Sequence, residues 1–140
     1  MKTSIRFARP SEVPLAHSFE YDVPLPRLKQ MIHNKEIMFA FCRKKPVGYL
    51  RFQCFWMRIP YLALILIKPA YRKKGIGRSL LAFLERHLLA LGFSKLLSSS
   101  TATEPGAQNW HRKVGFTEAG FIAGINSHDI GEVFFIKNLD

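Results

Sequence analysis

Three unlike segments follow one another in the middle of the chain and constrain its fold more than anything else in it. Tyr61-Leu-Ala-Leu-Ile-Leu-Ile67 is continuously apolar and reads as a strand buried on both faces. Lys68-Pro-Ala-Tyr-Arg72-Lys-Lys-Gly75-Ile-Gly77-Arg78 follows, basic and with two glycines. Leu80, Leu81, Leu84, Leu88 and Leu91 then recur at helical spacing, and Gly92 supplies a stop. A basic loop therefore joins a buried strand to the first turn of a helix. A helix start presents N–H groups without intrahelical partners and the positive end of the dipole. Gly75 and Gly77 have no Cβ, so an anion can approach the backbone closely. Arg72, Lys73, Lys74 and Arg78 surround that backbone with positive charge. The combination is physically a phosphate cradle; the plainer alternative is a basic turn ahead of an ordinary helix.

Two common phosphate-loop patterns do not fit. The pattern GxxxxGK[ST] needs a Gly-Lys pair closing the loop, and GxGxxG fails because Gly75-Ile-Gly77 is followed by Arg78, Ser79 and Leu80. Arg72-Lys-Lys-Gly75-Ile-Gly77, with Ile67-Lys-Pro69 before it, fits R-x-x-G-x-G/A. That resembles motif A of the GCN5-related N-acetyltransferases, which hold the pyrophosphate of acetyl-coenzyme A there. A second segment, Glu104-Pro-Gly-Ala107-Gln-Asn-Trp110-His111-Arg-Lys-Val-Gly115-Phe116, is similar to the family's N-x-x-A-x-x-F-Y-x-K-x-G-F. Ala107, Trp110, Lys113, Gly115 and Phe116 match; Glu104 stands where the family has Asn, and His111 where it has Tyr. The two motifs occur in the family's order and spacing.

The rest of the chain reads as alternating elements without repeats or low-complexity linkers. Strands are expected at Ser4–Arg9, Ile37–Arg43, Val47–Met57, Ile59–Ile67, Lys95–Thr101, Phe116–Ile125 and Gly131–Leu139. Helices are expected near Val13–Phe19 with Ser11 as N-cap, then Leu25–His33, Ile76–Leu91 and Gly106–Val114. Spacing alone supports a mixed α/β sheet. The resemblance implies more: one α/β domain over residues 1–140, with a mixed, mostly antiparallel sheet of about seven strands flanked by about four helices.

Composition sets outer bounds. At 140 residues and 48% hydrophobic, the chain is long enough to bury a core. No apolar run approaches the ~18 residues of a membrane helix, and the first ten residues lack an apolar signal core. A cytoplasmic location without membrane association is expected. Cys42 and Cys54 sit in apolar strand-like runs and read as reduced thiols. No Cys/His cluster has metal spacing, so no metal is expected. The net charge of +11 points to an anionic partner. Coenzyme A is one, and nucleic acid is another. Lys and Arg are scattered from Lys2 to Lys137 without a long basic tract, which speaks against nucleic acid.

The resemblance implies acetyl transfer from acetyl-coenzyme A to a primary amine by direct attack on the thioester. The amine would belong to a small molecule or a protein, and a homodimer is compatible with the family. The expected cofactor contacts are the backbone of Leu66 and Ile67, within the Leu64–Ile67 stretch that would face the pantetheine arm, and the loop residues Arg72, Lys73, Lys74, Gly75, Ile76, Gly77 and Arg78. His111 takes the family's acid position, where a histidine can donate near neutral pH to the leaving thiolate; the plainer alternative is that it packs beside Trp110 or bonds to the backbone, and it could instead be the base. Glu104 has four readings: base, amine-binding group, cofactor contact, or cap of the following helix. Glu20, Asp22 and Glu132 are further options for the base. The acceptor site would lie near residues 17–30 and 126–131. Phe19, Tyr21, Tyr49 and Trp56 are candidate walls, and Glu20, Asp22 and Asp129 candidate ammonium partners. Two other readings remain: a catalytically weak coenzyme A-binding module, and a basic nucleic-acid-binding domain.

Overall fold

The computed structural model describes residues 2–140. Among them are seven strands and four α-helices: β1 (Thr3–Phe7), α1 (Val13–Phe19), α2 (Leu25–His33), β2 (Ile37–Cys42), β3 (Lys45–Phe55), β4 (Ile59–Ile67), α3 (Ile76–Ala90), β5 (Lys95–Thr101), α4 (Pro105–Lys113), β6 (Thr117–Ile122) and β7 (Glu132–Asn138). The strands hydrogen-bond in the order β1-β2-β3-β4-β5-β7-β6. Among the described residues no helix is long and apolar enough to cross a membrane.

Contacts divide the chain into two compact units. The first comprises residues up to Gln53 together with Leu64–Leu84. Here β1 and β2 pair antiparallel from Thr3↔Cys42 to Phe7↔Met38. β2 and β3 pair antiparallel as well, with an irregularity between Ala40 and Phe41. The turn between β2 and β3 holds Arg43 and Lys44 at φ 50° and 69°, the left-handed conformation that lets two residues reverse a twisted hairpin. Lys45 and Pro46 therefore already belong to β3. α1 and α2 cover an aromatic core in which Ala16, Leu28, Ile32, Ile37, Phe39 and Tyr49 are buried. Leu64 and Leu66 of β4 pack against it. Burying a side chain such as Leu28 or Ile32 contributes about 1.5–3 kcal/mol.

Two expectations change in this unit. Ser11 does not cap α1: it lies in a 3-10 turn, Pro10–Glu12, and Glu12 precedes the helix without a side-chain capping bond. The Glu12 carboxylate instead turns back to accept from the Arg9 N–H at 2.7 Å and from both Arg6 terminal nitrogens at 2.8 Å. β4 is not buried on both faces along its length either; Ala63 through Ile67 are half-buried.

The second unit comprises Cys54–Ala63 and Glu85–Asp140. β4 and β5 pair in parallel at Tyr61↔Leu97 and Leu62↔Ser98. β7 pairs antiparallel with β5 from Lys95↔Asn138 to Thr101↔Glu132, and with β6 on its other side. Leu62, Leu88, Leu96, Val114, Phe116, Val133, Phe135 and Leu139 form its buried apolar set. β3 stops at Phe55, where Trp56 and Met57 make a two-residue turn at φ 52° and 58° closed by the Arg58 N–H to the Phe55 carbonyl at 2.9 Å.

Candidate active site

In the first unit the basic loop is set by its two ends. The Lys68 N–H donates to the Val47 carbonyl at 2.9 Å, which ties the exit of β4 to β3. Gly48 lets α3 lie close to the sheet: a Cβ there would meet Leu80 Cδ1 at 3.1 Å, Ile67 Cδ1 at 3.0 Å and Ala40 Cβ at 3.2 Å. Pro69–Tyr71 forms a 3-10 turn, and Arg72 leaves it extended. Lys73 at φ 61° and Gly75 at φ 82° then bend the chain into α3. The first intrahelical bond runs from the Ser79 N–H to the Gly75 carbonyl at 3.0 Å, and Ser79 Oγ donates to the same oxygen at 3.0 Å. The N–H groups of Ile76 and Gly77 precede that bond, so helix geometry gives them no carbonyl partner within α3. A Cβ built on Gly75 meets nothing within 4 Å, so the backbone there faces open space. Lys73, Lys74 and Arg78 are exposed around it. An anionic diphosphate fits this arrangement on charge, donors and access. Arg72 does something else as well: its Nε donates to the Ile67 carbonyl at 3.0 Å, bracing the loop against the end of β4.

Two expected acceptor-site groups in this unit are structural. Glu20 is 7% exposed. It accepts from Arg51 Nε at 2.7 Å, from the second Arg51 terminal nitrogen at 3.0 Å and from the Tyr49 hydroxyl at 2.8 Å. Burial first, then the Glu20 bond and charge, push the Tyr49 pKa far up and keep its proton in place. Phe19 stacks on Tyr49 at 5.2 Å between ring centroids. Tyr21, by contrast, is exposed, as are Asp22 and Asp129 and, on its turn, Trp56.

In the second unit His111 is the best-enclosed polar side chain on α4, 5% exposed. Its Nδ1 lies 2.7 Å from the Ala107 carbonyl and its Nε2 2.7 Å from Ser98 Oγ. A carbonyl can only accept, so Nδ1 carries the proton and, in the neutral ring, Nε2 accepts from the Ser98 hydroxyl. The ring stacks on Phe135 at 4.6 Å and meets Phe116 edge-on at 5.2 Å. Burial lowers its pKa, more than the Ala107 bond and the Glu132 charge raise it. Both nitrogens are thus engaged inside the unit, and this arrangement leaves the ring no nitrogen to serve as a donor to the leaving sulfur. Glu104 sits at the N-cap of α4, exposed and without a side-chain cap bond. Its backbone carbonyl accepts from the Gln108 N–H at 3.1 Å.

On the other face of β5 lies a hydrogen-bonded chain that sequence reasoning did not assemble. Tyr61 hydroxyl and Ser99 Oγ are 2.6 Å apart, and Ser99 Oγ donates to Glu132 Oε2 at 2.5 Å. Asn126 Nδ2 donates to the other oxygen, Glu132 Oε1, at 2.9 Å. Tyr61 reads as one more apolar residue in its run, and Ser99 lies within the expected strand Lys95–Thr101 without a role of its own. The available signals were a single hydroxyl in an aliphatic strand and a serine whose alternation in β5 turns it to the opposite face from Ser98 and Ser100.

Residues 7–116, most of the chain, match the acetyltransferase (GNAT) family model. No curated protein matches the chain by sequence. Solved structures match it over nearly their whole length. The N-acetyltransferase of Staphylococcus aureus Mu50 is 17% identical, with a TM-score of 0.85 and 100% of each chain covered. The ribosomal-protein-alanine N-acetyltransferase of Brucella melitensis is 22% identical, with a TM-score of 0.85 over 97% of this chain and 99% of that one. The Salmonella typhimurium protein yncA, solved with its cofactor acetyl-CoA, is 16% identical, with a TM-score of 0.84 over 100% of this chain and 95% of that one. At these identities the structural likeness establishes the fold, an α/β fold with a seven-stranded mixed sheet and four helices. The family match adds the chemistry to which the basic loop is suited, and on it the chain belongs to the GCN5-related acetyltransferase family and is an acetyl-coenzyme A-dependent N-acetyltransferase.

Proposed function

We propose that residues 1–140 act as one N-acetyltransferase domain whose acceptor is a primary amine, carried by a small molecule or by the N-terminus of a protein. The observation that carries the reading is the open backbone at Gly75 and the start of α3, ringed by Lys73, Lys74 and Arg78. The N–H groups of Ile76 and Gly77 would bind the pyrophosphate, with the Arg78 side chain adding positive charge nearby. Arg72 would hold the loop in place through the Ile67 carbonyl and add long-range attraction. The β4–β5 ladder ends at Leu62, five residues before β4 does. Backbone groups of Leu64 to Ile67, Leu66 and Ile67 among them, would receive the pantetheine arm. Bound acetyl-coenzyme A supplies the electrophilic thioester carbon and the thiolate leaving group.

His111 and Glu104 enter this reading in changed roles. His111 anchors α4 to β5 through Ser98, and Glu104 opens α4 beside its positive end. Cys42 is buried and Cys54 half-buried, in keeping with the reduced thiols of a cytoplasmic protein. The name of the Brucella melitensis neighbour suggests where to begin with acceptors: a peptide starting with alanine, then lysine derivatives and polyamines. Thermal unfolding with and without acetyl-coenzyme A tests the cofactor half. Thiol release with the amine panel tests the acceptor half. A melting temperature unmoved by millimolar acetyl-coenzyme A would overturn the reading of the loop.

A further inference from the structure

We infer that Tyr61, Ser99 and Glu132 form a proton wire that deprotonates the acceptor ammonium, an inference that rests on the primary-amine reading above. The bond directions are fixed from one end. A carboxylate only accepts, so the Ser99 hydroxyl donates to Glu132 Oε2 at 2.5 Å. With its proton committed, Ser99 Oγ accepts from the Tyr61 hydroxyl at 2.6 Å. The Tyr61 oxygen keeps its lone pairs for an incoming N–H. Asn126 Nδ2, bonded to Glu132 Oε1 at 2.9 Å, holds the carboxylate in this pose. The Tyr61 ring is fixed too: Phe55 stacks on it at 4.6 Å with an interplanar angle of 17°, and Phe134 lies 6.4 Å away. Tyr61 is on the strand proposed for the pantetheine arm, three residues before Leu64, or about 10 Å at ~3.3 Å per residue.

The proton balance closes. The ammonium passes one proton to the Tyr61 oxygen as the Tyr61 proton moves to Ser99 and the Ser99 proton to Glu132. The nitrogen lone pair then forms the bond to the thioester carbon. The C–S bond breaks, its electron pair stays on sulfur, and a second nitrogen proton ends on that sulfur as the thiol. Glu132 returns its proton to solvent. Tyr61 is the group that touches the amine; Ser99 and Glu132 act through it.

The test uses the full chain with saturating acetyl-coenzyme A and the primary amine that the wild type acetylates fastest. Tyr61→Phe, Ser99→Ala and Glu132→Gln should each lower kcat roughly 10²-fold, with the KM for acetyl-coenzyme A unchanged. A wire is broken once, so Ser99→Ala/Glu132→Gln should cost no more than either single change. Ser99→Thr keeps the hydroxyl and suits a strand, and should restore most of the activity. A readout without turnover accompanies these: the ¹³Cζ resonance of Tyr61, assigned by its loss in Tyr61→Phe, should move in Glu132→Gln. Glu132→Gln with kcat within threefold of wild type, or Ser99→Thr as slow as Ser99→Ala, would overturn the wire while leaving the N-acetyltransferase reading intact. A wild type that binds acetyl-coenzyme A but acetylates no primary amine would overturn the acceptor reading, and the wire with it.

Discussion

Gly77→Asp separates the helix start from the phosphate site, because the two should respond with opposite signs. Gly77 is the second residue of α3 and is not among the glycines held at positive φ. A side chain can therefore be carried there without left-handed strain. Asp is a better helix residue than Gly by a few tenths of a kcal/mol. A carboxylate in the first turn gains another ~0.3–1 kcal/mol from the dipole. The unliganded protein should become about 0.5–1 kcal/mol more stable, a rise of roughly 2–4 °C in melting temperature. The same carboxylate would face the pyrophosphate. Two unit charges about 5 Å apart repel by ~0.8 kcal/mol at the dielectric of water and by ~3 kcal/mol at an effective value of 20. Since about 1.4 kcal/mol is a factor of ten, acetyl-coenzyme A affinity should fall by roughly fourfold to a hundredfold. Calorimetric titration reads the affinity and thermal unfolding reads the stability, with Gly77→Ala as the uncharged control. A folded Gly77→Asp protein that binds acetyl-coenzyme A as tightly as wild type would refute the cradle. A lowered melting temperature would refute the account of the helix start.

Two further changes test the internal polar groups. Glu20→Ala removes the carboxylate that Arg51 and Tyr49 share and leaves a largely buried guanidinium with only the Gln53 Oε1 bond at 3.3 Å, so chemical denaturation should show a loss of about 3–5 kcal/mol; a loss below ~1 kcal/mol would mean that water replaces the carboxylate. His111→Ala should cost about 2–4 kcal/mol through the lost ring contacts and the orphaned Ser98 hydroxyl, and kcat should fall far less than 10²-fold. Because burial lowers the folded pKa of His111 below its unfolded value near 6.5, the unfolded chain binds the proton more readily. The stabilisation linked to this group is complete above about pH 6.5 and is lost as pH falls through the folded pKa, a loss that His111→Gln should lack. A His111→Ala protein of native stability with kcat reduced 10²-fold would restore the ring as proton donor.

Much of the fold was legible because its signals are local. β4, β5, α1 and α2 coincide with their expected spans, since each is set by a hydrophobic period and by adjacent Pro, Gly or charged residues. The hairpin ends were less visible. Arg43-Lys44 and Trp56-Met57 turn with both residues at positive φ. That conformation normally selects Gly, Asn or Asp, and none of the four is one of these. The strand reading therefore ran one residue too far in β2 and two in β3, with Trp56 placed inside a strand when it lies on a turn. The cap of α1 failed for a different reason. Ser11 has the chemistry of an N-cap, but Glu12 reaches Arg6, on β1, and that contact draws the preceding residues into a 3-10 turn.

The site divides along the same line between local and assembled features. The loop proposed for the cofactor is written in seven consecutive residues, 72–78, whose meaning depends only on a strand before them and a helix after them. His111 was visible as a residue type at a motif position, yet its chemistry depends on what surrounds the ring. Tyr at that position would carry its hydroxyl beyond the ring; an imidazole ends at Nε2, and here Ser98 meets it there. The proton wire was legible in no single stretch. Tyr61 and Ser99 are 38 positions apart, and Ser99 and Glu132 are 33 apart. They meet because β5 lies between β4 and β7 and because alternation turns Tyr61, Ser99 and Glu132 to one face. A carboxylate absent from β4 itself is thus supplied from β7 through a serine on the strand between. The search for a base in such a chain belongs among cross-strand neighbours rather than along the strand proposed for the cofactor arm.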